Sequence, residues 1–146
     1  MSPDVHAAHI RTFSFPDDYP GAHALWSNAG EGIHLGASDS PGEIEKKVRR
    51  DPDLFLLAEE DGEIVGTVLG GFDGRRGFVY HLAVEEGHRK RGIASLLMDE
   101  LERRLRSLGC IRVHLLVVPD NAGAMQFYEA RGWEKMDLFA YAKDLT

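Results

Sequence analysis

Apolar residues in the second half of the chain recur at helical spacing. Ile93, Leu97, Leu101, Leu105 and Leu108 fall three or four apart, while Glu102, Arg103 and Arg106 lie on other faces. That stripe predicts an amphipathic helix beginning near Gly92 and stopped by Gly109. Upstream the period changes. Residues 54–59 and 63–72 are apolar runs separated by Glu60-Asp61-Gly62. Asp-Gly tolerates the positive backbone angles of a tight hairpin, so the two runs are expected to be antiparallel neighbours. After a turn at 73–77, residues 78–84 predict a further strand. Residues 111–118 are nearly continuous apolar chain, the pattern of a strand covered on both faces.

The remaining elements are shorter. Residues 10–13 read as a first strand and 17–28 as a helix carrying Ala22, Leu25 and Trp26; 29–39, with Gly30, Gly32 and Gly36, reads as a loop. In Ser40-Pro41-Gly42-Glu43, Ser40 suits a helix cap, Pro41 the first turn, and Glu43 the closing of a capping box. That helix is expected to run to about Arg50. A last helix over 122–131 ends at Gly132, and 133–143 is expected to return as a strand. With no repeat, low-complexity segment or internal linker, the fold class is α/β, a single domain over 1–146.

Composition narrows the functions. The length of 146 residues and a hydrophobic content of 43% suit one packed core. A net charge of −7 argues against nucleic acid as a partner, since nonspecific binding needs cations to neutralise phosphates, and it is compatible with cationic acceptors such as amines. Cys110 is the only cysteine, so an internal disulfide and a CxxC metal cluster are both excluded, and a buried, reduced thiol is expected. Residues 1–10 carry no signal-peptide pattern, and no apolar run approaches the ~20 residues of a membrane span. A cytoplasmic protein without a membrane partner is the expectation.

Two clusters carry candidate chemistry. In the first, Leu82-Ala83-Val84 ends an apolar strand, and Arg89-Lys90-Arg91-Gly92-Ile93-Ala94-Ser95 opens the long helix. The first amides of a helix lack internal partners and sit at the positive end of its dipole, which suits a diphosphate. Gly92 and Ala94 keep little bulk there, and the three cations reverse the local sign of an acidic chain. A solvated basic loop capping a surface helix fits the same residues. The GxGxxG and Walker patterns are absent. In the second cluster, 119–133, Asn121 stands at a capping position ahead of Phe127 and Tyr128, and Gly132-Trp133 comes after them. Alone it is an ordinary capped helix with aromatic packing.

In order and at this spacing, the two clusters resemble the GNAT family of N-acetyltransferases. Arg89-Lys90-Arg91-Gly92-Ile93-Ala94 matches the family's coenzyme loop of Gln or Arg, two residues, Gly, one residue, then Gly or Ala. Asn121, Ala124, Phe127-Tyr128 and Gly132-Trp133 match its later motif. The likeness is close over 54–143 and loose before it. It implies a GNAT-like fold, a mixed and mostly antiparallel twisted sheet of six to seven strands with about four helices. It also implies transfer of an acetyl group from acetyl-CoA, with no metal, to a primary amine by direct attack in a ternary complex. The acceptor would be a small-molecule amine or a protein or peptide amine, and the protein a monomer or homodimer. A coenzyme-binding sensor or regulatory module without transfer is the rival reading, and an interaction domain without ligand a third.

The resemblance also implies residue roles. Backbone groups of Leu82 and Val84, flanking Ala83, would pair with the pantetheine arm. Amides of Arg89, Lys90, Arg91, Gly92, Ile93, Ala94 and Ser95 would hold the pyrophosphate. Asn121 would bond the pantetheine arm or an ordered water. Tyr128 would direct its hydroxyl to the sulfur as general acid, and the Val84 N–H would serve the carbonyl oxygen. The base departs from the family pattern. Positions where relatives place Glu or His hold Phe78 and Tyr80, and His81 lies one residue out of phase, which sends it to the other face of a regular strand. Glu31, His34, His114 and a water relay to Tyr80 or to bulk stay open as alternatives. Acceptor choice is expected in 19–50, around Trp26, Glu31 and His34.

Overall fold

The computed structural model describes residues 8–29 and 33–146; Glu31, with Gly30 and Gly32, lies outside the described residues. The described residues form two compact units, divided after Leu116. The first holds β1 (His9–Thr12), α1 (Tyr19–Ser27), α2 (Pro41–Arg50), β2 (Phe55–Glu60), β3 (Glu63–Phe72), β4 (Gly77–Val84), α3 (Ile93–Ser107) and β5 (Val113–Leu115). The second holds α4 (Ala122–Ala130). The sheet order is β1-β2-β3-β4-β5. Its first four strands are antiparallel neighbours and β5 runs parallel to β4. Among the described residues a mixed, mostly antiparallel sheet with four helices is therefore present, but with five strands rather than six to seven.

Two expectations account for the difference. Residues 111–118 shrink to a three-residue strand, because β4 leaves β5 after the Val79–Leu115 pair. Pro119 then has no N–H with which to extend a ladder. Residues 133–143 form no strand among those described. Their alternation of apolar and polar positions needs a hydrogen-bonded neighbour to become a strand, and with none Phe139 stays 89% exposed and Tyr141 94%. Among the described residues no helix is long and apolar enough to cross a membrane.

The turn between β2 and β3 forms as its sequence demands, with Asp61 at φ 53° and Gly62 at φ 80°. One face of the sheet packs on α1 and α2 through Phe13, Leu25, Trp26, Ile44, Phe55, Leu57 and Leu69. The Phe13 and Phe55 rings stack at 4.0 Å. Arg11 on β1 grips Asp18 with two N–H groups, at 2.7 and 2.9 Å, which fixes the entry to α1 and holds that carboxyl below its usual range. The other face takes α3, whose Ile93, Leu97, Leu101 and Leu105 are buried. Leu108 falls at the helix C-cap and is half exposed, so it leaves the stripe. Ser40 occupies the N-cap of α2 without a side-chain cap bond, and Glu43 pairs with Lys46 instead of closing a capping box.

One irregularity shapes the working face. Thr67 pairs with Ala83 but Leu69 pairs with Tyr80, so Val68 opposes both His81 and Leu82. This is a β-bulge, with His81 in the left-handed region at φ 46°. The Thr67 hydroxyl donates to the His81 carbonyl at 3.1 Å and accepts from the Trp26 indole N–H at 2.9 Å. Strict alternation is broken here, and His81 turns toward the α2 side with Tyr80. Its out-of-phase position in the sequence does not carry it to the α3 face.

Gly70 sets how closely α3 approaches. A Cβ there would lie 2.5 Å from Leu101 Cδ1. Gly70→Ala is expected to cost about 1–3 kcal/mol by overpacking, and Leu101→Ala about 2–5 kcal/mol by cavity formation. Combined, they should cost clearly less than the sum in urea denaturation, because each relieves the other's misfit. Simple additivity would contradict the contact.

Candidate active site

Between the α2-facing side of β3–β4, α2, and a 3-10 turn at Ala37–Asp39 lies a cavity of about 570 Å³. Leu69, Gly71, Phe78 and Tyr80 line it, the last two rings stacked at 4.8 Å. Lys47 reaches over Gly71 and pairs with Asp51. Burial lowers the Lys47 ammonium from its ordinary pKa and raises the Tyr80 phenol.

At one end His81 Nε2 lies 2.6 Å from Asp39 Oδ1. Asp39 is largely buried and held by two further bonds: its second oxygen accepts the Gly36 N–H at 3.0 Å, and its backbone carbonyl accepts the Tyr19 hydroxyl at 2.7 Å. A carboxylate only accepts, so His81 Nε2 is the donor to it, and in the neutral imidazole Nδ1 then carries the lone pair. The imidazole packs against Trp26 at 4.7 Å between ring centres. The bulge thus brings a partnered histidine to the cavity wall, one residue from the strand edge. His34 also lines the cavity but is exposed; His114 sits on β5 opposite Phe78 and is not among the cavity's lining residues.

The second feature is an open strand edge. β4 pairs with β5 only over Gly77–Val79, while β4 continues to Val84. The Glu85 N–H donates inward to Val65 at 2.8 Å, so Val84 directs its N–H and C=O to the opposite, open side. Its carbonyl there accepts Arg89 Nε at 3.1 Å. Leu82 has the same edge, just past the bulge, and the Ala83 side chain is buried on the α1–α2 face.

Beyond Val84 the chain makes one 3-10 turn over Glu86–His88 and reaches α3. His88 pairs with Glu85, and Arg91 Nη2 reaches Glu60 Oε1 at 3.3 Å, which anchors the loop to the end of β2. Lys90 and Gly92 adopt left-handed angles, φ 64° and 81°. Gly92 is the N-cap and offers no side-chain cap bond. The first helical bond runs from Leu96 N–H to Gly92 C=O at 3.0 Å, leaving the amides of Ile93, Ala94 and Ser95 without an acceptor inside the helix. An oxyanion can take all three, next to Arg89 and Lys90, both exposed.

In the second unit, Asn121 caps α4 by accepting the Ala124 N–H at 3.1 Å. Tyr128 packs edge-on against Phe127 and Trp133, at 5.2 and 5.5 Å, and the Trp133 N–H donates to the Tyr128 carbonyl at 3.0 Å. The Gly-Trp step of the motif therefore holds the tyrosine's own turn. Burial pushes the Tyr128 phenol up to about 12.

Asp39 escaped sequence reasoning. It stands in a glycine-bearing stretch that reads as loop, and its only local signal is the spacing Gly36 to Asp39, which lets an acidic side chain cap the turn's first amide.

Comparison with known proteins places these features in context. The model of the acetyltransferase (GNAT) family matches residues 13–133. An acetyltransferase of Pectobacterium atrosepticum is 41% identical over 136 residues, covering 93% of this chain and 94% of the relative. An acetyltransferase of Sodalis glossinidius is 40% identical over 128 residues, 88% of each. Among solved structures, Ard1 from Thermoplasma volcanium superposes with a TM-score of 0.75 at 27% identity, over 86% of this chain and 82% of that one. An aminoglycoside N-acetyltransferase in complex with CoA shares the fold at TM-score 0.75 and 17% identity, over 100% of both chains. So does a chain of the NatC complex bound to Gag peptide and CoA, at TM-score 0.76 and 19% identity, over 90% of this chain and 87% of that one.

The raised Tyr128 pKa has a stability consequence. The unfolded chain releases this proton near pH 10, whereas the folded protein keeps it to about 12. Stability present below the unfolded value is therefore lost as pH rises between the two, at no more than about 1.4 kcal/mol per pH unit. Tyr128→Phe lacks this component, so its stability relative to wild type should improve from about pH 9 to 11 in urea denaturation. A pH-independent difference would show that the phenol is not held protonated.

Proposed function

This chain belongs to the GNAT family of acetyltransferases, and from that premise we propose that it moves an acetyl group from acetyl-CoA to a primary amine by direct attack in a ternary complex. The observation that carries the reading is a coincidence within one compact unit: an unpaired stretch of β4 edge leads into a helix whose first amides are free. Such a pair suits a ligand with an amide-bearing arm at one end and a diphosphate at the other, as the coenzyme has.

In this reading Leu82 and Val84 pair with the pantetheine arm through their backbone, and Ala83 only spaces them. The amides from Arg89 through Lys90, Arg91, Gly92, Ile93 and Ala94 to Ser95 take the pyrophosphate. Asn121 turns its side-chain amide N–H to the arm or to a bridging water while its oxygen caps α4. The acceptor enters the cavity beside β4, whose volume suits a small amine.

A primary amine of pKa near 10.4 must lose a proton before it attacks. His81 Nδ1 takes that proton, and Asp39 steadies the imidazolium by accepting from Nε2. The nitrogen bonds to the acetyl carbon, and the Val84 N–H, on the open edge, stabilises the carbonyl oxygen as charge develops. The carbon–sulfur bond breaks and Tyr128, kept protonated by burial, gives its proton to the thiolate before regaining one from solvent.

Free thiol is followed in the presence of acetyl-CoA and a panel of primary amines. Wild type should release thiol with at least one amine. Tyr128→Phe and His81→Gln should each lower kcat by about 10²-fold or more, with the acetyl-CoA KM changed by less than about threefold. Asp39→Asn should give a smaller loss. Equal turnover in wild type and Tyr128→Phe removes the acid; coenzyme binding without thiol release across the panel identifies a sensor instead.

The coenzyme contacts have their own check. Ala94→Asp places a carboxylate on the free amides of α3 and should weaken CoA binding in calorimetry by about tenfold or more. Undiminished affinity would move the diphosphate elsewhere.

A further inference from the structure

The cavity that receives the acceptor in the acetyl-transfer reading has two chemically different ends, and the role inferred for its far end rests on that reading. His81 and Asp39 stand at one end. At the other, where β3 turns into β4, stand Arg50 of α2 and Arg76 of the turn. The carboxylates near these cations are already engaged. Asp73 Oδ1 accepts the N–H groups of Arg75 and Arg76, each at 2.7 Å, and Asp51 holds Lys47. Arg50 donates to the Phe72 carbonyl at 3.1 Å and lies 3.9 Å from Asp51. The Arg76 guanidinium has no hydrogen-bond or ion-pair partner among the described residues. Its backbone is fixed, since the Asp73 N–H donates to the Arg76 carbonyl at 3.1 Å.

We propose that this far end is an anion subsite, and that the acceptor is a small amine carrying a carboxylate remote from its nitrogen. Charge decides for a monoanion. Setting Lys47 against Asp51, the far end holds two guanidinium groups and one carboxylate, a surplus of one positive charge. A guanidinium fork matches a planar carboxylate in geometry. Charge at the other end has the opposite sense, where a carboxylate-backed imidazole receives a cationic amine. Length is set by the strand. Five residue steps separate Arg76 from His81, at most roughly 16 Å of backbone and shortened by the bulge at His81, and both residues line the cavity. The nitrogen and the carboxylate of the acceptor then stand about 5–8 Å apart, the span of a chain of about four to six carbons.

The test compares hexylamine with ε-aminocaproate, alike in carbon number and differing in the terminal carboxylate. Affinity is measured by calorimetry with CoA present and absent, and thiol release with acetyl-CoA. Wild type should favour aminocaproate by about tenfold or more, the scale of a hydrogen bond to a charged group. Arg76→Gln should bring that ratio near one. Arg75→Gln, on the same turn but outside the cavity, should keep the wild-type ratio. Equal affinity for both amines in wild type overturns the subsite, as does an Arg75→Gln effect as large as that of Arg76→Gln. Failure of the acetyl-transfer reading looks different: CoA does not bind, or no amine releases thiol, while the two amines still report on the cavity directly.

Discussion

Between Val79 and Ala83 the fourth strand carries one more residue than the strand beside it, and the hydroxyl of Thr67 holds that surplus in place by accepting from Trp26 and donating to the His81 carbonyl. A strand residue at positive φ is costly, on the order of 1–3 kcal/mol, and the buried hydrogen-bonded pair beneath it offsets the cost. Much of the working face depends on that insertion. His81 turns onto the same side as Tyr80 and meets Asp39; beyond it, β4 has no β5 partner, so Val84 faces an unpaired edge. One bulge thus separates a wall carrying the His81–Asp39 pair from an edge that offers backbone groups.

Charge is arranged to the same end. The chain is acidic as a whole, yet three cations stand together at the loop before α3 and two at the turn between β3 and β4. At the loop, Arg89 is anchored on the Val84 carbonyl and Arg91 on Glu60, so the positive field is fixed in position beside the free amides of α3. Fixed dipoles and anchored guanidinium groups need little reorganisation when a charged ligand arrives. The long hydrophobic stripe of α3 makes this possible, since it seats the helix on the sheet and leaves only its amino end for chemistry.

Much of this was legible in the amino-acid sequence, for reasons that differ from element to element. The α3 stripe, the Asp61-Gly62 turn and the glycine at the head of α3 each impose a local geometry that no distant contact reverses. The capping role of Asn121 and the aromatic packing of Tyr128 are local in the same way. The bulge was not legible, because the residue at its positive φ is a histidine rather than a glycine, and the outcome depends on Thr67 across the ladder. Asp39 was hidden for a similar reason: its partner stands 42 residues away. The short β5 and the absent strand at 133–143 show the limit of alternation as a signal, which describes a side-chain pattern but says nothing of a neighbour to pair with.

The missing side chain at Gly70 reaches further than the contact it permits. Leu101 settles onto that bare patch of backbone, and the same helix begins two turns earlier at Ile93. A rod seated in a slot transmits any lift at its middle to its tip. Bulk gained at position 70 would thus raise the amino end of α3 away from the strand edge, even in a background stabilised elsewhere. Position 70 therefore sets where the free amides of α3 stand relative to the edge of β4.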